Sequence, residues 1–186
     1  MPEFTDVMVD LETTGLAPDF NAVIQISAVK FNLDTHAVDT NFFNQCLSIP
    51  PTRWWDEGTR QWWGKQPDVL RGIYARMRSP ATVMAEFYEW ARDQELRFWA
   101  KPLSFDFPFV QSYFREFGPA MPFDFRKGRD LRTFMAGIAY PFAPFPEASI
   151  PFEGSVHDAI FDTLHQLKIL YAAMDARNEP GVLDQR

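Results

Sequence analysis

The chain has a single cysteine among its 186 residues, Cys46, so no intrachain disulfide can form and a reducing, cytoplasmic compartment is expected (the host cytoplasm if the chain is phage-encoded). No apolar run approaches the ~20 residues of a membrane-spanning helix. No charged segment leading into an apolar stretch opens the chain, so neither membrane association nor secretion is expected. Excess positive charge is also missing: 18 Lys and Arg against 25 Asp and Glu leave a formal net charge of −7. That balance disfavours non-specific attraction to a polyanion, and a nucleic-acid partner would need bound cations or local basic patches. Repeats and low-complexity tracts are lacking. Aromatic residues, by contrast, are abundant: 19 Phe and 6 Trp imply a core built of rings, with some left for contacts. The length and a 46% hydrophobic content suit one domain, residues 1–178, followed by a flexible tail, residues 179–186.

The first strand is expected from Phe4 to Asp10, the second over Val23–Phe31 and the third over Thr40–Leu47, spaced as an antiparallel meander. Helical character begins near Thr59. Pro67 opens a helix ending near Met77, and Ser79-Pro80 reads as an N-cap with proline at the first helical position. Leu96–Lys101 reads as a fourth strand, Pro108 as the opening of a helix stopped by Gly118-Pro119, and Phe123–Arg126 as a short fifth strand. Helices follow over Asp130–Ala139 and from Ser155, where Ser155-Val156-His157-Asp158 has capping-box spacing. Ile160, Leu164, Leu167, Tyr171 and Met174 mark an apolar stripe on that last helix. Three strands followed by interleaved helices and strands give an α/β domain with a mixed five-stranded sheet flanked by helices.

Chemistry concentrates at Val7-Met8-Val9-Asp10-Leu11-Glu12-Thr13-Thr14-Gly15. A strand repeats its side-chain direction every two residues, so Asp10 and Glu12 share a face. Adjacent carboxylates repel and raise each other's pKa, a conflict that a hard divalent cation resolves. Solvated acids at a strand end are the alternative. Asp106 follows the fourth strand directly, where it would otherwise serve as a helix N-cap. Asp162 lies one turn past Asp158 in the last helix, on the side away from Leu164 and Leu167. His157 stands five residues before Asp162, and imidazole, titrating near pH ~6.5 when unperturbed, is suited to accept a proton from water. Arg126-Lys127-Gly128-Arg129 with Arg132 could track a phosphate backbone or form a solvated loop.

Asp10-x-Glu12-Thr13-Thr14-Gly15, Phe105-Asp106 and His157-x4-Asp162 together resemble the three motifs of the DEDDh 3'-5' exonucleases, the DnaQ-like branch of the ribonuclease H-like fold. Thr59-x-x-Trp62-Trp63-x-x-Gln66 resembles a segment of the phage-type and related bacterial members. Lys101-Pro102-Leu103-Ser104 departs from the Asn- and Gly-containing lead-in common before the second motif. The resemblance implies that Asp10, Glu12, Asp106 and Asp162 hold two Mg2+ or Mn2+ and that His157 is the general base. It implies attack on the 3'-terminal phosphodiester of single-stranded RNA or DNA with a free 3' end, releasing nucleoside 5'-monophosphates. It also implies that the backbone at Thr13 and the side chain of Leu16 meet the terminal nucleotide. Trp62, Trp63 and Phe105 are candidates to stack on bases, with core packing as the alternative. A polymerase-associated proofreading subunit and an inactive nucleic-acid-binding protein on the same fold are the competing readings, and a homodimer is left open.

Overall fold

The structure is a computed structural model that describes residues 3–92, 95–139 and 144–178. The expected tail, residues 179–186, lies outside the described residues. β1 (Asp6–Thr13), β2 (Val23–Phe31) and β3 (Phe43–Leu47) form the expected antiparallel meander, and β5 (Arg97–Ala100) joins β1 in parallel on its other side. The sheet has six strands rather than five, in the order β4-β3-β2-β1-β5-β6. The additions are two-residue edge strands, β4 (Met77–Arg78) and β6 (Arg129–Asp130), paired in parallel with β3 and β5. Runs this short carry no periodicity of their own. The strand expected at Phe123–Arg126 is instead a loop entering a 3-10 turn at Phe125–Lys127, with β6 starting just after it.

Two layers of helices cover the sheet. α3 (Pro80–Ala91) and α4 (Leu103–Phe117) pack on Val7, Val9 and Leu11 with Phe43, Phe87, Phe98 and Phe109. α5 (Leu131–Ala139) and α6 (Ala159–Asn178) pack on Met8, Val29, Phe31 and Trp99 on the opposite face. The remaining helices, α1 (Glu57–Trp63) and α2 (Pro67–Ala75), bring Trp63 and Ile73 against Ile24 and Cys46. Much of the aromatic content is therefore core, as Phe43–Phe87 and Phe98–Phe123 ring pairs at 4.7 and 5.1 Å illustrate.

Two helix starts depart from the local sequence signals. α4 opens at Leu103, leaving Pro108 inside it. Its missing N–H would have bonded the carbonyl of Ser104, an exposed residue in the first turn of the helix. The first turn is capped from elsewhere: Asp130 Oδ2 on β6 accepts the Leu103 N–H at 2.8 Å. α6 begins at Ala159, one turn later than a capping box at Ser155 would place it. His157 has φ +66°, a left-handed backbone that no α-helix continues through. Along α6 the buried line runs through Thr163, Gln166, Leu167, Leu170 and Ala173, with Ile160, Leu164, Tyr171 and Met174 only partly buried beside it.

Candidate active site

The acids meet where β1 leaves the sheet. Asp10 stands opposite Ser27 and Glu12 opposite Gln25, and the register shifts between Glu12 and Thr13. Such a bulge ends regular pairing and re-aims the chain. The following turn is tight: a Cβ on Gly15 would lie 2.3 Å from Asn21 Oδ1. Period two places Asp10 and Glu12 on the Met8 face, towards α6. Asp106 arrives from the opposite layer, in the first turn of α4 rather than ahead of it, and is 3% exposed. Asp162 lies in the first turn of α6. The loop before that helix folds back onto it, since Asp162 Oδ2 accepts the His157 backbone N–H at 3.0 Å. One ligand atom each from Glu12, His157 and Asp162 then lie within 4.8 Å of one another.

The electrostatics of this cluster are those of acids crowded without enough cations. Burial, reinforced by Asp162, pushes the Asp10 carboxyl up to about 8, while Gln166 and Lys101 pull the other way. Burial raises Glu12 well above the carboxylate range, and Asp10, Asp162, Asp106 and Asp158 add to it. Asp106 is raised by burial and then by Asp10, against the backbone N–H groups of Leu11 and Asp106. Asp162 is raised by burial, with His157 opposing.

Three supporting residues carry no sequence motif. Gln166 Nε2 donates to Asp10 Oδ1 at 2.8 Å, while its own Oε1 is buried without a partner. Gln25, fully buried on β2, donates to Asp158 Oδ1 at 2.6 Å and accepts the Ala159 N–H at 3.4 Å, pinning the start of α6. Lys101, just past β5, tempers Asp10 and pairs with Glu147. The available signals were a polar residue inside an apolar strand, for Gln25, and i+4 spacing from Asp162, for Gln166.

A cleft of about 470 Å³ runs beside Glu12, and Thr13, Leu16, Trp62, Trp63 and Phe105 all line it. Their roles differ. Leu16 is 77% exposed at the rim. Thr13 turns its hydroxyl inward, donating to the Gly15 carbonyl at 2.7 Å. Phe105 packs against Phe109 at 5.1 Å and keeps part of its surface open. Trp62 is partly exposed and meets the His157 ring edge-to-face at 4.7 Å. Trp63 departs from the expectation of a base-stacking ring: it is 1% exposed, with its indole N–H donating to the Thr13 carbonyl at 3.0 Å, and it backs the wall. Of the basic run, Lys127 pairs with Glu95 at the opposite end of β5, Arg126 faces Asp124, and Arg129 donates to the Gly128 carbonyl at 2.9 Å.

A family model described as the 3'-5' exoribonuclease Rv2179c-like domain matches residues 5–174. No curated protein matches the chain in sequence. Cell-death related nuclease 4 (CRN-4) is similar in fold, with a TM-score of 0.65 at 19% identity over 92% of this chain and 64% of that one. E. coli exonuclease I in complex with a dA16 oligonucleotide gives a TM-score of 0.68 at 14% identity over 97% of this chain and 42% of that one. S. pombe Pop2p, in its Mg2+ and Mn2+ bound form, gives 0.63 at 13% identity over 91% of this chain and 82% of that one. The chain thus spans less than two thirds of CRN-4 and less than half of exonuclease I. The shared property is the fold.

Proposed function

Because the chain belongs to the Rv2179c-like 3'-5' exoribonuclease domain family, we propose that it is a metal-dependent 3'-5' exonuclease. Its substrate is single-stranded nucleic acid with a free 3' end, RNA or DNA, and its products are nucleoside 5'-monophosphates. The observation that carries this reading is the convergence of Glu12, His157 and Asp162 within 4.8 Å, beside Asp10 and Asp106, whose carboxyls burial and then neighbouring acids push above the ordinary carboxylate range. An oxygen-rich donor set of this kind fits a hard divalent cation such as Mg2+ or Mn2+. Asp10, Glu12, Asp106 and Asp162 would hold two such cations, which when bound make water more acidic and offset charge on phosphate oxygens.

The chain's own residues divide the remaining work. His157 takes the proton of the attacking water at its imidazole, and Asp162 holds the His157 backbone from below. Trp62 braces the same ring from the cleft side. Gln166 fixes the Asp10 carboxyl, and Gln25 fixes the loop that carries His157. Leu16 and Phe105 bound the space for the terminal nucleotide. The test is product release from matched 5'-labelled RNA and DNA oligonucleotides with Mn2+, with Mg2+ and with chelator. Stepwise shortening, 5'-mononucleotide release and resistance of a 3'-phosphorylated strand are expected. Cuts inside a circular strand, or release that chelator does not stop, would refute the reading.

A further inference from the structure

Among the described residues nine large hydrophobic side chains are exposed, and five of them, Leu16, Phe20, Trp54, Trp62 and Val156, sit on the segments that carry the cleft rim and His157. Phe20 and Trp54 form a pair. They are 54% and 56% exposed, with ring centroids 5.4 Å apart at 29°, stacked on each other. Neither is needed to fill the core, because the neighbours Arg53 and Trp55 are the ones turned inward.

The backbone beneath this pair is unusually well held. The Trp54 N–H donates to the Phe20 carbonyl at 3.0 Å, and the Trp54 carbonyl accepts from Thr14 Oγ1 at 2.9 Å and Asn21 Nδ2 at 3.0 Å. Arg53, 5% exposed, donates from Nη1 to the Pro18 and Asn21 carbonyls at 2.6 and 2.9 Å, and from Nη2 to Ser112 and Glu116. A buried guanidinium thus ties the Phe20 loop to the Trp54 loop and both to α4. Two exposed rings on a fixed backbone make a surface that loses little freedom when something stacks on it.

We propose that Phe20 and Trp54 are a stacking platform for unpaired bases upstream of the 3'-terminal nucleotide. The proposal rests on the exonuclease reading of the cleft. Position supports this occupant, because both residues lie on segments that run directly into residues lining that cleft, Leu16 and Asp56. Trp54 is two residues from Asp56, which lines the cleft, so their Cα atoms are at most ~7 Å apart. Phe20 follows Leu16 through a turn closed by the Asn21 N–H on the Ala17 carbonyl at 2.8 Å. Successive nucleotides of a stacked strand advance ~3.4 Å, so the platform falls within a few nucleotides of the terminal one. Stacking on rings is available to every base, so the platform lengthens the grip without reading sequence.

The test uses the Phe20→Ala/Trp54→Ala double variant and the conservative Trp54→Phe, each checked for an unchanged melting temperature. Two readouts are taken: kcat/KM on a dinucleotide and on a ten-nucleotide strand, and anisotropy of a 5'-labelled dT10 titrated in chelator. The double variant should lose ~10-fold or more on the ten-nucleotide strand and in dT10 affinity, and keep its dinucleotide rate, with Trp54→Phe close to wild type. Equal losses at both lengths, or no loss at either, would overturn the platform. A wild-type protein that binds dT10 through these rings but cleaves neither length would refute the exonuclease reading and leave the platform standing. A wild type that fails to bind dT10 overturns the platform whatever it cleaves. If the double variant does not fold, Phe20→Ala and Trp54→Ala singly must each weaken dT10 binding, and the absence of both effects counts against the proposal.

Discussion

At one end of β1, Asp6 is fully buried and satisfied: Arg97 Nε and Nη2 donate to it at 2.7 and 2.6 Å, Trp99 Nε1 at 2.6 Å and Thr5 Oγ1 at 2.7 Å. Four residues along the same face, Asp10 receives Gln166 Nε2 and confronts Asp162, with the charge of Lys101 tempering it. Residue type, strand and face are identical. The difference lies wholly in what the neighbouring elements bring. β5 offers a guanidinium and an indole N–H to Asp6, and makes it a structural acid. At the other end α4 and α6 offer Asp106 and Asp162 to Asp10, and leave a deficit of positive charge that a divalent cation would fill.

The contrast breaks most sharply under substitution. Asp10→Ala, Asp106→Ala and Asp162→Ala should each reduce exonuclease turnover to background. Metal-free melting temperature should hold or rise, because each change relieves repulsion. Asp6→Ala should do the reverse, costing about 3 kcal/mol in a denaturant titration by stranding Arg97 and a buried indole N–H, with turnover kept below the melting point. His157→Ala is next in size, an expected loss of ~10²–10⁴-fold in kcat with oligonucleotide binding kept. Gln166→Leu keeps the volume but removes the donor to Asp10. Metal affinity or turnover should fall ~10–100-fold, measured by Mn2+ titration alongside steady-state rates.

The smallest effect is one of pH. Asp10 has a raised pKa in the folded protein, about 8 against an ordinary 3.8. The folded state therefore binds more protons than the unfolded one between those values, and its stability falls as pH rises through that window. Glu12 and Asp106 are shifted in the same direction. Thermal unfolding in chelator should show a melting temperature that declines from pH 5 to pH 8. Asp10→Asn should flatten that slope, whereas saturating Mn2+ should remove it.

The Asp10 end was more legible in the sequence than the Asp6 end. Asp10 and Glu12 share a face because a strand's period is two, and His157 and Asp162 meet because they stand five residues apart across the start of α6, where the loop folds back onto the first turn. Both facts are local and can be read without a fold. Asp6 carries the same letter, but Arg97 and Trp99 reach it only through the parallel pairing of β1 with β5. Gln166 was hidden because it lies on the buried line of α6, where an apolar stripe was expected to run through Leu164 instead. The start of α4 depends on Asp130 from β6, and the start of α6 on a left-handed His157, so neither boundary follows from its own segment. Trp62 and Trp63 are adjacent and alike in sequence, yet one lines the cleft in the open and the other is sealed by its bond to Thr13.

The cation deficit at the Asp10 end can be measured directly by calorimetric titration of Mn2+ into metal-free protein at pH 7, repeated in two buffers of different ionisation enthalpy. Carboxyls that hold protons at that pH must release them when a cation binds. Saturable binding with proton release, both lost in Asp10→Asn, is the predicted result. Binding that releases no proton, or that survives Asp10→Asn unchanged, would contradict it.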